Sequence, residues 1–221
     1  MEGASERIVV RAKRQVAGRG RLDRRWDGGE GNLLASILLR PAVSPMRAAE
    51  LGFALSVAVA RTAEEFLPES CVRLKWPNDV LAPGKLSGIL LESQSNTEGE
   101  LDWVVLGIGL NVVSSPQGLA YPTSTLSEGG KPVDAGGVLD ILLDHFGRLE
   151  ALWREDGFEP IRRSWLKYGH RPGDPLGVTL GNRRIQGCFL DLDSEGGLLL
   201  ETEAGPLRVT TGDVSYGVPA A

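Results

Sequence analysis

The sequence is poor in residues that cross-link or ligate. It has two cysteines, Cys71 and Cys188, far apart and outside any CxxC pair, and two histidines, His145 and His170. That excludes a disulfide framework and argues against a zinc centre. A chain of 221 residues needs neither, because it is long enough to bury well over half of its unfolded surface. No long hydrophobic run is present: the most apolar window, residues 51–60, is far too short to span a bilayer and carries a glycine and a serine. The first residues lack the basic-then-apolar pattern of a secretory signal, so a reducing cytoplasm is the expected compartment. Internal repeats and low-complexity segments are also missing.

Charge is where the sequence becomes informative. The net charge is -5, yet Arg11, Lys13, Arg14, Arg19, Arg21, Arg24 and Arg25 stand against Asp23 alone in the segment 11–25. Such a run is either a solvated face or a seat for something anionic. Gly18 and Gly20 within it permit close backbone approach, and the arginines offer planar forks to carboxylate or phosphate oxygens. Trp26 adds a flat surface on which a ring could pack.

Residues 7–12 and 32–39 are strand-like, and Ser44-Pro45 caps a helix over 45–66. Strand-like runs follow at 72–75, 87–92 and 103–113, and a loop rich in glycine, serine and proline at 118–137. Helices are expected over 138–153 and 160–168. A punctuated linker at 170–175 then leads to short strands at 177–180, 184–192, 197–201 and 206–211, the texture of a small β-barrel.

Two further groups carry chemistry. In Lys75-Trp76-Pro77-Asn78-Asp79, the Asn78 and Asp79 side chains could hold a polar ligand edge or a magnesium ion. Lys85 opens a strand that continues into Gly88, where partial desolvation would strengthen its point charge. Gly107-Ile108-Gly109-Leu110-Asn111 lacks the third glycine of a dinucleotide fingerprint; glycines inside a strand point to close approach of a ligand or another backbone. Asn111 either reads the edge of an adenine or closes a β-bulge.

In this order and spacing, Gly18-Arg19-Gly20-Arg21 with Trp26, the 75–79 and 85–88 segments, and 107–111 resemble the motifs of biotin protein ligases, also called biotin-(acetyl-CoA-carboxylase) ligases. Residues 211–215 look like part of that family's C-terminal SH3-like domain, and the resemblance runs over about 3–218. It implies an α+β fold: a mixed β-sheet flanked by helices, as in class II synthetases, over 1–170, and a small SH3-like β-barrel over 175–221. It implies ATP-dependent activation of biotin to biotinyl-5′-AMP and transfer to a lysine of the biotin carboxyl carrier of a carboxylase, with magnesium beside the phosphates.

Carried over by motif, Arg21 and Lys85 are the expected catalytic pair. The biotin site would comprise Gln15, Gly18, Arg19, Gly20, Arg21, Lys85, Gly88 and Gly107. Arg21, Trp26, Asn78, Asp79 and Asn111 would serve ATP, with Asp79 a candidate magnesium ligand. A homodimer is compatible with the family, whereas nucleic acid and membrane are not expected partners. The alternatives are a non-catalytic homologue that keeps nucleotide or carrier binding, and a lipoyl ligase. In the family a Ser-Thr-Asn motif and a helix precede the strand matched by residues 7–12 and form part of the biotin pocket. No such segment precedes Met1, which leaves open a misplaced start, an incomplete pocket or lost activity.

Overall fold

The computed structural model describes residues 6–216; residues 1–5 and 217–221, at the outer ends of the two expected domains, lie outside the described residues. Strands β1 (Ile8–Ala12), β2 (Leu33–Leu39), β3 (Arg73–Lys75), β4 (Asp79–Leu81), β5 (Lys85–Ser95) and β6 (Leu101–Leu110) form one sheet in the order β1-β2-β6-β5-β4-β3. Every ladder in it is antiparallel, and the parallel component of the expected mixed sheet is a single bridge, Lys85 to Thr123. Helices α1 (Pro45–Glu64), α2 (Ala135–Asp156) and α3 (Glu159–Tyr168) pack around α1.

Alternation along the strands decides which face does what. Ile37, Leu106, Ile108 and Ile89 join the core beneath α1. Their neighbours on the opposite face pair as Ser36, Gly107 and Leu90, and as Leu34, Gly109 and Gly88. One face therefore holds the helices and the other holds small residues. Helix α1 begins as expected, with Ser44 Oγ accepting from the Arg47 amide and Pro45 in the first turn. Packing outweighs this cap: burying Leu51 and Leu55 contributes about 3–6 kcal/mol against about 1 for a capping side chain.

The second sheet, β7 (Pro175–Leu180), β8 (Arg183–Leu192), β9 (Leu198–Thr202), β10 (Gly205–Val209) and β11 (Asp213–Tyr216), has the order β10-β9-β8-β7-β11 and is antiparallel throughout. It is docked, not tethered. Residues 170–175 are stitched to β8 by Gly173 N to Phe189 O and Phe189 N to Asp174 O, both 2.8 Å. Phe53 of α1 packs under the turn at Gly196, where an added Cβ would stand 2.6 Å from its ring, and the Trp76 indole N–H donates to Gly196 O at 3.0 Å. His170 is buried at this junction, where Nε2 accepts from the Trp76 amide at 3.3 Å; burial pushes its pKa down to about 4. No helix among the described residues is long and apolar enough to cross a membrane.

Candidate active site

The face with small residues is the floor of a cavity of about 440 Å³, an ordinary size for a small-molecule site. Its roof is the segment 18–26, folded as a small hairpin by Gly20 N to Arg24 O (2.6 Å), Trp26 N to Gly18 O (3.0 Å) and Arg24 N to Arg21 O (3.2 Å). Of the residues singled out from the sequence, Arg19, Gly20, Arg21 and Trp26 line it from the roof and Gln15 from the segment leading into the roof. Asn78, Asp79, Lys85, Gly88 and Gly107 line it from the sheet.

Gly18 does not line this cavity. An added Cβ there would stand 2.4 Å from the Trp26 carbonyl oxygen, so Gly18 lets the two limbs of the hairpin meet and acts on the cavity through them. Asn111 also lies elsewhere, on the wall of an adjoining cavity of about 350 Å³ that shares Arg25, Trp26, Lys85 and Tyr121 with the first.

Trp26 rests on a saddle made by the cross-strand pair Gly88 and Gly109. An added Cβ would stand 2.2 Å from the indole at Gly109 and 3.1 Å at Gly88. These two glycines exist for a flat ring, and Gly109 is the more demanding of them. Gly107 has a different neighbour, the Leu90 carbonyl oxygen at 3.3 Å from a built Cβ.

Lys85 is held from both ends. Its backbone N–H donates to Pro122 O (2.8 Å) and its carbonyl accepts from Ser124 N (3.1 Å), while Nζ lies 2.7 Å from Asp79 Oδ1. The Trp26 and Tyr121 rings flank the ammonium at 5.8 and 5.9 Å. Tyr121 has no signature in the sequence; it sits in an irregular loop where no period marks it.

Asp79 has partners that the sequence does not reveal. Its second oxygen lies 2.9 Å from Lys75 Nζ, so both carboxylate oxygens are occupied by ammonium groups. Burial pushes this carboxyl up, but Lys85 and Lys75 more than offset it and hold Asp79 below the usual carboxylate range. With its charge already balanced by two ammonium groups, Asp79 is disfavoured as the seat of a resident magnesium ion. Among the described residues no group of three or more His, Cys, Asp or Glu side chains could hold a metal ion.

Arg21 is held by neutral oxygens, Asn78 Oδ1 at 3.2 Å and Gly212 O at 3.3 Å. Burial pushes its guanidinium down, opposed by Asp213 and Asp79, yet arginine keeps its charge. Asn78 in turn donates from Nδ2 to Ile89 O at 2.8 Å, so its amide braces Arg21 against β5. Arg19 pairs with Glu92 at 2.9 Å, both exposed, a contact worth under about 1 kcal/mol.

At the cavities, two buried side-chain atoms find no hydrogen-bond partner among the described residues: the Trp26 indole Nε1 and Asn111 Oδ1. Asn111 Nδ2 is used, donating to Lys85 O and Ser124 O at 3.2 Å each, which leaves an acceptor only. Leaving such atoms unpaired costs about 1–3 kcal/mol each, and both belong to residues of the second cavity. A ligand with a donor and an acceptor on one planar edge would relieve both.

Fold and cavity together define a cationic small-molecule site on a glycine-lined sheet face, and comparison with known proteins gives the class. The Biotin/lipoate A/B protein ligase family profile matches residues 2–111, and the Biotin protein ligase C terminal domain profile matches 177–217. A biotin-(acetyl-CoA-carboxylase) ligase of Paracoccus denitrificans is 35% identical over 97% of this chain and 92% of that protein. The Mycobacterium tuberculosis protein of the same description is 32% identical over 95% of this chain and 79% of its own length. The solved structure of the Aquifex aeolicus biotin protein ligase in complex with biotin and ATP superposes with a TM-score of 0.79 at 30% identity, covering 96% of this chain and 89% of that one. The chain belongs to the biotin protein ligase family.

Proposed function

We propose that the chain joins biotin to a carrier protein in two steps. A biotin carboxylate oxygen attacks the α-phosphorus of ATP, forming biotinyl-5′-AMP and releasing pyrophosphate. A lysine amine of the carrier then attacks the anhydride carbonyl, forming an amide, losing a proton and releasing AMP. The carrier would be that of a biotin-dependent carboxylase, and the compartment the cytoplasm.

The observation that carries this reading is that Arg21 and Lys85 line one cavity while Arg21 has no carboxylate partner of its own among the described residues. The first step brings an anion to a polyanion, so fixed positive charge is what lowers its barrier. Arg21 would meet the biotin carboxylate and the α-phosphate together. Lys85, aimed by Asp79, would stabilise charge as it moves to the leaving group. Trp26 and Asn111 would take the adenine in the second cavity, the amide oxygen accepting from its exocyclic amine. Gln15, Gly20, Gly88 and Gly107 would border biotin. Magnesium would arrive on the triphosphate and not as a resident ion on Asp79. The activation chemistry would belong to a catalytic part over 1–170, with a C-terminal part over 175–221.

The test is to mix the chain with ATP, magnesium, biotin and a carrier domain, and to probe the carrier with streptavidin. Lys85→Ala is expected to lower labelling at least about 100-fold, the scale for removing one transition-state donor. Wild-type labelling no higher than that of Lys85→Ala rejects the proposal, and labelling by lipoate in place of biotin would reassign it to a lipoyl ligase.

A further inference from the structure

The roof of the cavity touches the C-terminal sheet at the turn that opens β11. Arg24 NH2 lies 2.6 Å from Asp213 Oδ1, and Arg21 NH1 lies 3.3 Å from Gly212 O. We infer that Gly212 and Asp213 form a latch that holds the 18–26 roof closed, and that Asp213 is a positioning residue which acts on Arg21 through Arg24. The latch itself stands on geometry alone, and its consequence for catalysis rests on the biotin-ligase reading.

The two halves of the contact differ in stiffness. The receiving half is fixed: Asp213 pairs with Thr179 in the ladder between β11 and β7. Gly212 has φ 142, and an added Cβ would stand 2.8 Å from Leu180 Cδ2 and 2.9 Å from Thr179 O, so the turn admits no side chain. The half it receives is strained. Leu22 and Asp23, at the tip of the roof, both have φ 55, a left-handed conformation that residues with a Cβ disfavour. Leu22 is also 65% exposed and gains little from burial there. A tip folded against its own preference needs an external contact to keep it in place.

Charge divides the labour between the two arginines. Arg24 gives its charge to the Asp213 carboxylate, whereas Arg21 is held by two neutral oxygens and keeps its charge for an anionic ligand. Asp213 also offsets the repulsion between the two guanidinium groups, since each lies within range of the other's field. Removing Asp213 would leave two like charges on a strained turn, and the roof would open.

Hydrogen exchange over residues 18–26 of the unliganded chain tests the latch without any need for activity. In Asp213→Ala this segment is expected to exchange about three- to fivefold faster, the range for losing an exposed ion pair, with β5 and β6 unchanged. Arg24→Asp should do the same while leaving the C-terminal sheet untouched, which covers the case that Asp213→Ala fails to fold. The double variant Arg24→Asp with Asp213→Arg should return to within about twofold of wild type. Release of preformed biotinyl-adenylate should follow the same order. Exchange at the wild-type rate in both single variants, or no recovery in the charge swap, overturns the latch. Absence of carrier labelling by the wild-type chain would overturn the biotin-ligase reading, and the exchange data would still decide the latch.

Discussion

The two sheets obey the same pairing rules and differ in what they do with them. In the five-stranded sheet Leu176, Val178, Phe189, Leu198 and Leu200 point into the core, and its charges meet at the surface, as Arg208 does with Asp193 and Glu195. The six-stranded sheet keeps that pattern on the face beneath α1 and abandons it on the other. There a glycine pair replaces side chains, a carboxylate is buried between two ammonium groups, and Trp26 Nε1 and Asn111 Oδ1 find no partner among the described residues. Local rules that fail on one face only, while the opposite face stays well packed, mark a surface shaped for a ligand and not for folding.

The largest effect should come from the buried carboxylate. Asp79→Asn leaves Lys75 and Lys85 facing each other without a counter-ion, and loss of one member of a buried ionic group costs about 3–5 kcal/mol. Asp193→Asn, in the turn between β8 and β9, removes the partner of a half-exposed arginine and should cost much less. Urea unfolding of the two variants measures the contrast, and equal losses would break it. The sign with pH follows from the depressed Asp79 pKa: its stabilisation is present above its unfolded value of 3.8 and is lost as the pH falls toward the folded one.

The junction between the sheets gives a second, smaller effect. His170 is buried and its pKa falls from 6.5 to about 4, so the unfolded chain binds the extra proton first. Stability is therefore full above pH 6.5 and drops as the pH falls toward 4, by about 2–3 kcal/mol at pH 4.5. His170→Gln keeps an acceptor for the Trp76 amide and does not titrate, so its unfolding free energy should show that much less loss between pH 7 and 4.5. Parallel pH profiles for the two proteins would remove His170 from the account and with it the view that the second sheet is docked through a neutral imidazole.

Much of this was legible in the sequence, and the exceptions have physical causes. Capping by Ser44-Pro45 announced α1, and the clustered cations announced the cavity roof. Helix α2 starts at Ala135, three residues before its expected start, because Asp134 caps it by accepting from the Gly136 and Gly137 amides, and that glycine pair reads as loop. Strand β4 lies between the expected runs at 72–75 and 87–92 and has only three residues, too few for alternation to show. Motif chemistry located Asp79 correctly in the cavity but not its partners, since nothing in spacing tells that Lys75 and Lys85 converge on it. Tyr121 and Asp213 reach the site from an irregular loop and from the other sheet, contacts that only the folded chain brings about.

The smallest effect in stability should be the sharpest in function. At Gly109 an alanine methyl would press on the Trp26 indole, which belongs to the weakly held roof and can lift away, so the stability cost should stay near about 1 kcal/mol. The ring can lift only by leaving the saddle, which exposes it: its fluorescence should move to the red, and ATP affinity should fall about tenfold as the purine loses its stacking wall. At Gly107 the same methyl meets a carbonyl oxygen of β5 at 3.3 Å and no part of Trp26, so Gly107→Ala should leave the emission unchanged. If Gly107→Ala shifted the emission as far as Gly109→Ala does, the two glycines would share one role, and the reading of the Gly88 and Gly109 pair as a seat for a single ring would be wrong.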